Sequence, residues 1–91
     1  MKEIHKSTQF KKDFKKLRNN KKKVEALFTI VKYLERGESV PAEYNPHMLS
    51  GELKGIMECH VESDLLLLWL DEENDIIRLL RIGSHSEVLG M

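Results

Sequence analysis

The chain has 91 residues, with 15 Lys/Arg against 15 Asp/Glu and a single cysteine. One domain of that length buries enough surface for a core without disulfide or metal staples, and a lone Cys59 excludes an internal disulfide framework and suits a reducing compartment. The longest apolar run, Leu65 to Leu70, falls far short of the ~20 residues that cross a bilayer, and the start lacks a signal-peptide pattern, so a soluble cytoplasmic protein with no membrane partner is expected.

A short strand is expected over 2–6. Ser7 or Thr8 then caps a helix over roughly 8–19, whose Phe10, Phe14 and Leu17 fall at i, i+4, i+7 on one stripe. Asn19-Asn20 breaks it. A second helix over about 21–36 carries Val24, Leu27, Phe28, Val31 and Leu34 on one face and stops at Gly37. Residues 37–50, with Pro41 and Pro46, read as loop. A strand over about 52–62 alternates Leu53, Met57, Cys59 and Val61 toward the helices, with Lys54, Ile56, Glu58, His60 and Glu62 opposite, so Glu58 and His60 share an open face. Leu65–Leu70, apolar throughout, predicts a central strand covered on both faces. The turn at 71–74 leads to a last strand over about 75–82, where Arg78 and Arg81 have opposite parity; Gly83-Ser84 ends it and delivers His85. The pattern β-α-α-β-β-β predicts an α+β domain over 1–91, two helices packed on a four-stranded, mostly antiparallel sheet.

The neutral total conceals a division. Residues 1–36 hold 12 Lys/Arg and 4 Asp/Glu, and residues 37–91 hold 3 and 11. A basic front end is either a footprint for phosphate backbones or the solvated back of lysine-rich helices. Three of the four histidines, His47, His60 and His85, lie in the second half, with Asp64 four residues after His60. Imidazoles beside a carboxylate suit acid/base chemistry near neutral pH. The same residues read otherwise as metal ligands, though they lack the close-paired spacings of zinc motifs, or as ordinary surface histidines. Cys59 alternates onto the core side, which suits a small buried hydrophobe rather than a nucleophile. No glycine-rich phosphate loop or dinucleotide fingerprint is present.

Pro41, Tyr44, His47, Leu49 and Gly51, then Lys54-Gly55, then Glu58, His60, Val61 and Asp64, and finally Arg81, Gly83, Ser84, His85, Val88 and Leu89 stand at spacings that closely resemble the YafQ-like branch of the RelE/ParE superfamily, toxins of bacterial type II toxin–antitoxin pairs. The resemblance covers nearly the whole chain and is specific from about 40 to 90. It implies a ribosome-dependent mRNA endonuclease acting in the A site against rRNA, without metal or other cofactor. It also implies a small antitoxin partner through whose complex operator DNA is bound. Carried over by position, His47, His60, Asp64 and His85 match catalytic positions and Glu58 an acidic neighbour. Arg81 matches an arginine near the scissile phosphate, with Lys54 a second cation. Metal-free cleavage uses the RNA 2′-hydroxyl as nucleophile and needs a base, an acid and positive charge on the transition state. His85 is the expected general acid, His60 and Asp64 share base or orienting duty, and His47 transfers a second proton or contacts phosphate. Ile56, Met57 and Leu65 depart from the family's aromatic and basic residues, and Leu89 stands where an aromatic would stack on a base. ParE-like binding of DNA gyrase and a catalytically weakened antitoxin-binding or operon-regulating role are the alternatives. The first needs no such acid/base set.

Overall fold

A run with no polar alternate is stable only in the middle of a sheet covered on both faces, and residues 65–70 lie there. In the computed structural model, which describes residues 1–90, they belong to β4 (Leu65–Glu72), between β3 (Met57–Glu62) and β5 (Ile76–Gly83). Leu65, Leu67 and Trp69 face the main core beneath α1 (Thr8–Leu17) and α2 (Lys21–Glu35). Leu66 and Leu68 face a second cluster with Val88 and Leu89 of α3 (His85–Leu89), joined by Leu49, Ile56 and Leu80.

The α+β class is as expected, but the sheet has five strands and mixed pairing. β1 (Glu3–Lys6) runs parallel to β5, and β2 (His47–Met48) pairs antiparallel with β3, giving the order β1-β5-β4-β3-β2. β2 lies within the predicted loop. Two residues after Pro46 carry no alternation, and β2 exists only through its pairing with β3. The strand expected from residue 52 begins at Met57, because Gly51 and Gly55 adopt left-handed φ of 68° and 101° and turn the chain through a short 3-10 segment at Gly51–Leu53. Leu53 is therefore exposed rather than core-facing. The third helix was also unexpected, since five residues hold too little periodicity to read.

Ser7 and Asn20 cap the first two helices, their side-chain oxygens accepting from the amides of Phe10 and Lys23. On α2 the buried stripe is Leu27, Ile30 and Leu34, rotated from the expected face. Phe28 turns outward toward Phe14, with ring centroids 6.2 Å apart. α1 buries Asp13 between Phe10 and Leu17.

Asp13 explains how α1 is held. β1 pairs with β5 only as far as Leu79, so the outer edge of β5 beyond it has unpaired backbone groups. The Ser7 hydroxyl donates to the Leu80 carbonyl at 2.9 Å, and the Asp13 carboxylate accepts from the Ile82 amide at 3.1 Å. Asp13 also accepts from Arg81 Nε at 2.8 Å and Nη2 at 3.2 Å, and from Gln9 Nε2 at 3.0 Å. Both its oxygens are thus satisfied, as a carboxylate that is 4% exposed requires.

Burial pushes the Asp13 carboxyl up, but the hydrogen bonds from Arg81, Gln9 and the Ile82 amide outweigh it, and the group sits below the ordinary aspartate value. A depressed folded value contributes stability that is fully present above the unfolded value of about 4 and is lost as pH falls through the folded one. Asp13→Ala leaves Arg81 without its partner and should lower unfolding free energy by about 3 kcal/mol. Urea titrations from pH 7 downward should show wild type and variant converging below pH 4; parallel curves would remove Asp13 from the acid response.

Candidate active site

The expected residues are placed by β2, β3, the β3–β4 turn and the start of α3. At one side, His47 on β2 lies opposite Glu58 on β3, and its Nε2 is 3.1 Å from Glu58 Oε1. Its Nδ1 is 2.8 Å from the Asn45 carbonyl oxygen, which can only accept, so Nδ1 carries a proton. Asn45 adopts φ 50°, a conformation asparagine tolerates, and that bend aims its carbonyl at the ring.

Glu58 does not lie on an open face, contrary to the parity argument; it is 4% exposed, whereas His60, two residues on, is exposed. Glu58 is paired across the sheet with both His47 and Leu68, so neighbouring strands cover it, while β3 bulges between His60 and Glu62 as it reaches its end. Glu58 Oε2 is buried without a hydrogen-bond partner among the described residues.

At the other side, Asp64 Oδ1 accepts from the His85 backbone amide at 3.1 Å, tying the β3–β4 turn to α3. Ser84 caps α3 in a reciprocal box with Glu87: its hydroxyl accepts from the Glu87 amide, and Glu87 Oε1 accepts from the Ser84 amide. The Ser84 backbone and side-chain bonds hold the Glu87 carboxyl below its ordinary value. Gly83 permits the tight reversal. A Cβ there would meet Glu87 Oε1 at 3.1 Å and Val88 Cγ1 at 3.3 Å. The rings of His60 and His85 form no hydrogen bond among the described residues, which leaves both available to a ligand.

The other sequence candidates are placed differently. Arg81 is bound to Asp13, with its Nη1 outside that fork. Lys54 follows the 3-10 turn and is exposed, off the β3 face on which alternation put it. Leu89 is half-buried against Leu66 and Leu68, so its side chain helps close the second cluster. Cys59 is buried, and desolvation followed by the charge of Glu58 pushes its thiol up to about 12, which suits a packing role. Sequence reasoning missed the structural roles of four residues. Ser84 and Glu87 show the S-x-x-E box, Asn45 precedes a proline as turn residues do, and Asp13 gives no signal on a lysine-covered helix. Among the described residues, no group of three or more His, Cys, Asp or Glu side chains converges to hold a metal ion.

The model of the YafQ toxin family, described as bacterial toxins of type II toxin–antitoxin systems, matches residues 2–90. A Haemophilus influenzae chain bearing the YafQ name is 35% identical over 51 residues, 53% of this chain and 50% of that one, so the match spans about half its length. The Escherichia coli K12 mRNA interferase toxin YafQ is 31% identical over 97% of this chain and 96% of its own. Among solved structures, a metal-bound toxin from Helicobacter pylori superposes with TM-score 0.85 at 36% identity, covering 97% of this chain and 99% of that one. The toxin of the E. coli DinJ-YafQ toxin-antitoxin complex gives 0.83 at 30% identity, covering 98% of each chain.

The orphaned Glu58 oxygen makes the His47 contact testable. His47→Ala strands a buried carboxylate and should cost about 2 kcal/mol in denaturant unfolding at pH 7, whereas adding Glu58→Gln should recover part of that loss. Equal loss in single and double variants would show that the pair is not coupled.

Proposed function

The chain belongs to the YafQ family of bacterial type II toxins, and from that premise we propose that it is an mRNA endonuclease acting on translating ribosomes and restrained by a small antitoxin. The name of the E. coli relative, mRNA interferase toxin, supports the activity, and the DinJ complex of another supports the partner. Operator DNA is met only through that toxin–antitoxin complex. The observation that carries the reading is the Asp64–His85 link. It joins two residues 21 apart in sequence, so that a carboxylate and an imidazole from different elements share one end of the sheet, with His60 on the strand leading into Asp64.

The proposed reaction is transesterification within the RNA strand. The 2′-hydroxyl oxygen attacks the adjacent phosphorus and the P–O5′ bond breaks, giving a 2′,3′-cyclic phosphate and a 5′-hydroxyl. His60, exposed and free at both ring nitrogens among the described residues, accepts the 2′-hydroxyl proton. Asp64 fixes the start of α3 through Oδ1, which holds the His85 ring where it can protonate the leaving 5′-oxygen. His47, 3.1 Å from Glu58, contacts the phosphate and offsets the charge that grows on the non-bridging oxygens. Arg81 contributes through Nη1, which lies outside the Asp13 fork, and Lys54 through its exposed ammonium. With Leu65 buried and Leu89 half-buried, aliphatic side chains stand where family relatives place aromatic rings. Base stacking therefore contributes little, and holding the message falls to the ribosome.

Primer extension on message from a translation extract should show cuts that vanish when initiation is blocked. His85→Ala, whose ring holds nothing in the fold, should lower the cutting rate about 100-fold or more with the melting temperature unchanged. Uncut message under active translation would sink the endonuclease reading, and an undiminished rate in the variant would remove His85 from the mechanism.

A further inference from the structure

The last strand carries a bulge that alternation along the sequence does not show. Trp69 of β4 pairs with Leu79 and Leu68 with Arg81, so Leu80 is one residue more than β4 can match. Ile77, Leu79 and Ile82 face the main core. Arg78, opposite Leu70, and Arg81, opposite Leu68, therefore share the other face, contrary to the opposite parity expected of them in a regular strand. Arg81 ends a row that crosses four strands, His47, Glu58, Leu68 and Arg81, and His60 stands on the same face opposite Leu66. Arg78 lies two residues along β4 from that row, a step of about 7 Å, with His5 of β1 beside it. The bulge thus puts a second guanidinium on the face that carries the candidate catalytic groups.

The two arginines are held alike. Asp13 takes Arg81 through Nε and Nη2, and Glu72 takes Arg78 through Nε. In each case a carboxylate grips the inner nitrogen and leaves at least one terminal nitrogen without a partner among the described residues, on side chains that are 30% exposed for Arg81 and 39% for Arg78. We propose that Arg78 is a further substrate-binding residue of the endonuclease, its terminal nitrogens donating to the message phosphate one step from the phosphate being cut, which Arg81 meets. The proposal rests on the endonuclease reading above and adds the residue that sets the register of the strand. A planar guanidinium presents paired donors to phosphate oxygens, and a step of about 7 Å between the two residues matches one phosphodiester unit of an extended strand. Glu72 does not compete for the ligand, because it occupies Nε alone and keeps the long side chain from wandering. Phosphate contacts carry no base information but fix register. The ribosome holds the message, and Arg78 aligns the toxin so that the scissile bond meets His60 and His85.

The experiment uses ribosomes stalled on a synthetic message and follows the cutting rate against toxin concentration. Arg78→Ala should raise the half-saturating toxin concentration about 10-fold, as loss of a hydrogen bond between charged groups does. The maximal rate should stay near that of wild type, because the contact is made equally before and during the reaction. Messages with a neutral methylphosphonate in place of the phosphate one step upstream or one step downstream of the cut then locate the contact. On one of the two, wild type should weaken by a similar ~10-fold while Arg78→Ala weakens no further. Arg78→Gln, which keeps part of the stem and a donor for Glu72, should repeat the pattern and separates it from any loss of fold in the alanine variant. A wild-type half-saturating concentration in both variants would overturn the proposal, as would variant and message penalties that multiply, because Arg78 would then act elsewhere. Message left uncut by the wild-type chain would defeat the endonuclease reading and the proposal with it, whereas normal cutting that is indifferent to Arg78 defeats the proposal alone.

Discussion

The end of β5 is where the fold and the site are joined, and the Asp13 carboxylate is what secures it. A strand that outruns its neighbour leaves backbone amides that neither sheet nor solvent satisfies once a helix packs over them. Here Asp13 accepts from the Ile82 amide and grips Arg81, so α1 takes the place of the missing strand. The following residues depend on that position. Gly83 allows the chain to reverse, the Ser84–Glu87 box starts α3, and the His85 amide reaches Asp64. Lys16 of α1 also lies 3.6 Å from Glu87 of α3, an exposed contact that contributes little alone.

The candidate residues form two unlike pairs, with His60 exposed on β3. Asp64 and His85 are joined through the backbone, which sets position and leaves the ring unencumbered. His47 and Glu58 are joined side chain to side chain, and there both ring nitrogens are engaged while a buried carboxylate oxygen lacks a partner. An unsatisfied buried acceptor costs stability, and its persistence beside an exposed histidine is the kind of local sacrifice found where chemistry rather than packing sets the residue.

What could be read from residues alone follows the strength of each physical signal. Leu65–Leu70 announced a doubly covered central strand, and a cap at Ser7 and the break at Asn19-Asn20 marked the two long helices. His47, His60, Asp64 and His85 stood out as candidates because their types and spacings fit no packing pattern. Features that depend on distant partners stayed hidden. β2 is two residues held by pairing alone, and the parallel contact of β1 with β5 joins positions more than 70 apart. Glu58 was placed on the right face, but alternation does not report whether neighbouring strands close over a residue. Arg81 looked free for phosphate because nothing on α1 distinguished Asp13 from any other exposed acid among lysines.

The central claim is that the 2′-hydroxyl of the message, activated by histidine and carboxylate groups alone, is the nucleophile. The chemistry of the cut ends reports this directly. Message cleaved by the toxin during translation is isolated and its new termini are analysed by mass spectrometry. The account predicts a 2′,3′-cyclic phosphate, or the 3′-phosphate it hydrolyses to, upstream of each cut and a 5′-hydroxyl downstream. A 5′-phosphate with a free 3′-hydroxyl would mean that water attacked the phosphorus from the opposite side, and would contradict the mechanism built here on His60, Asp64 and His85.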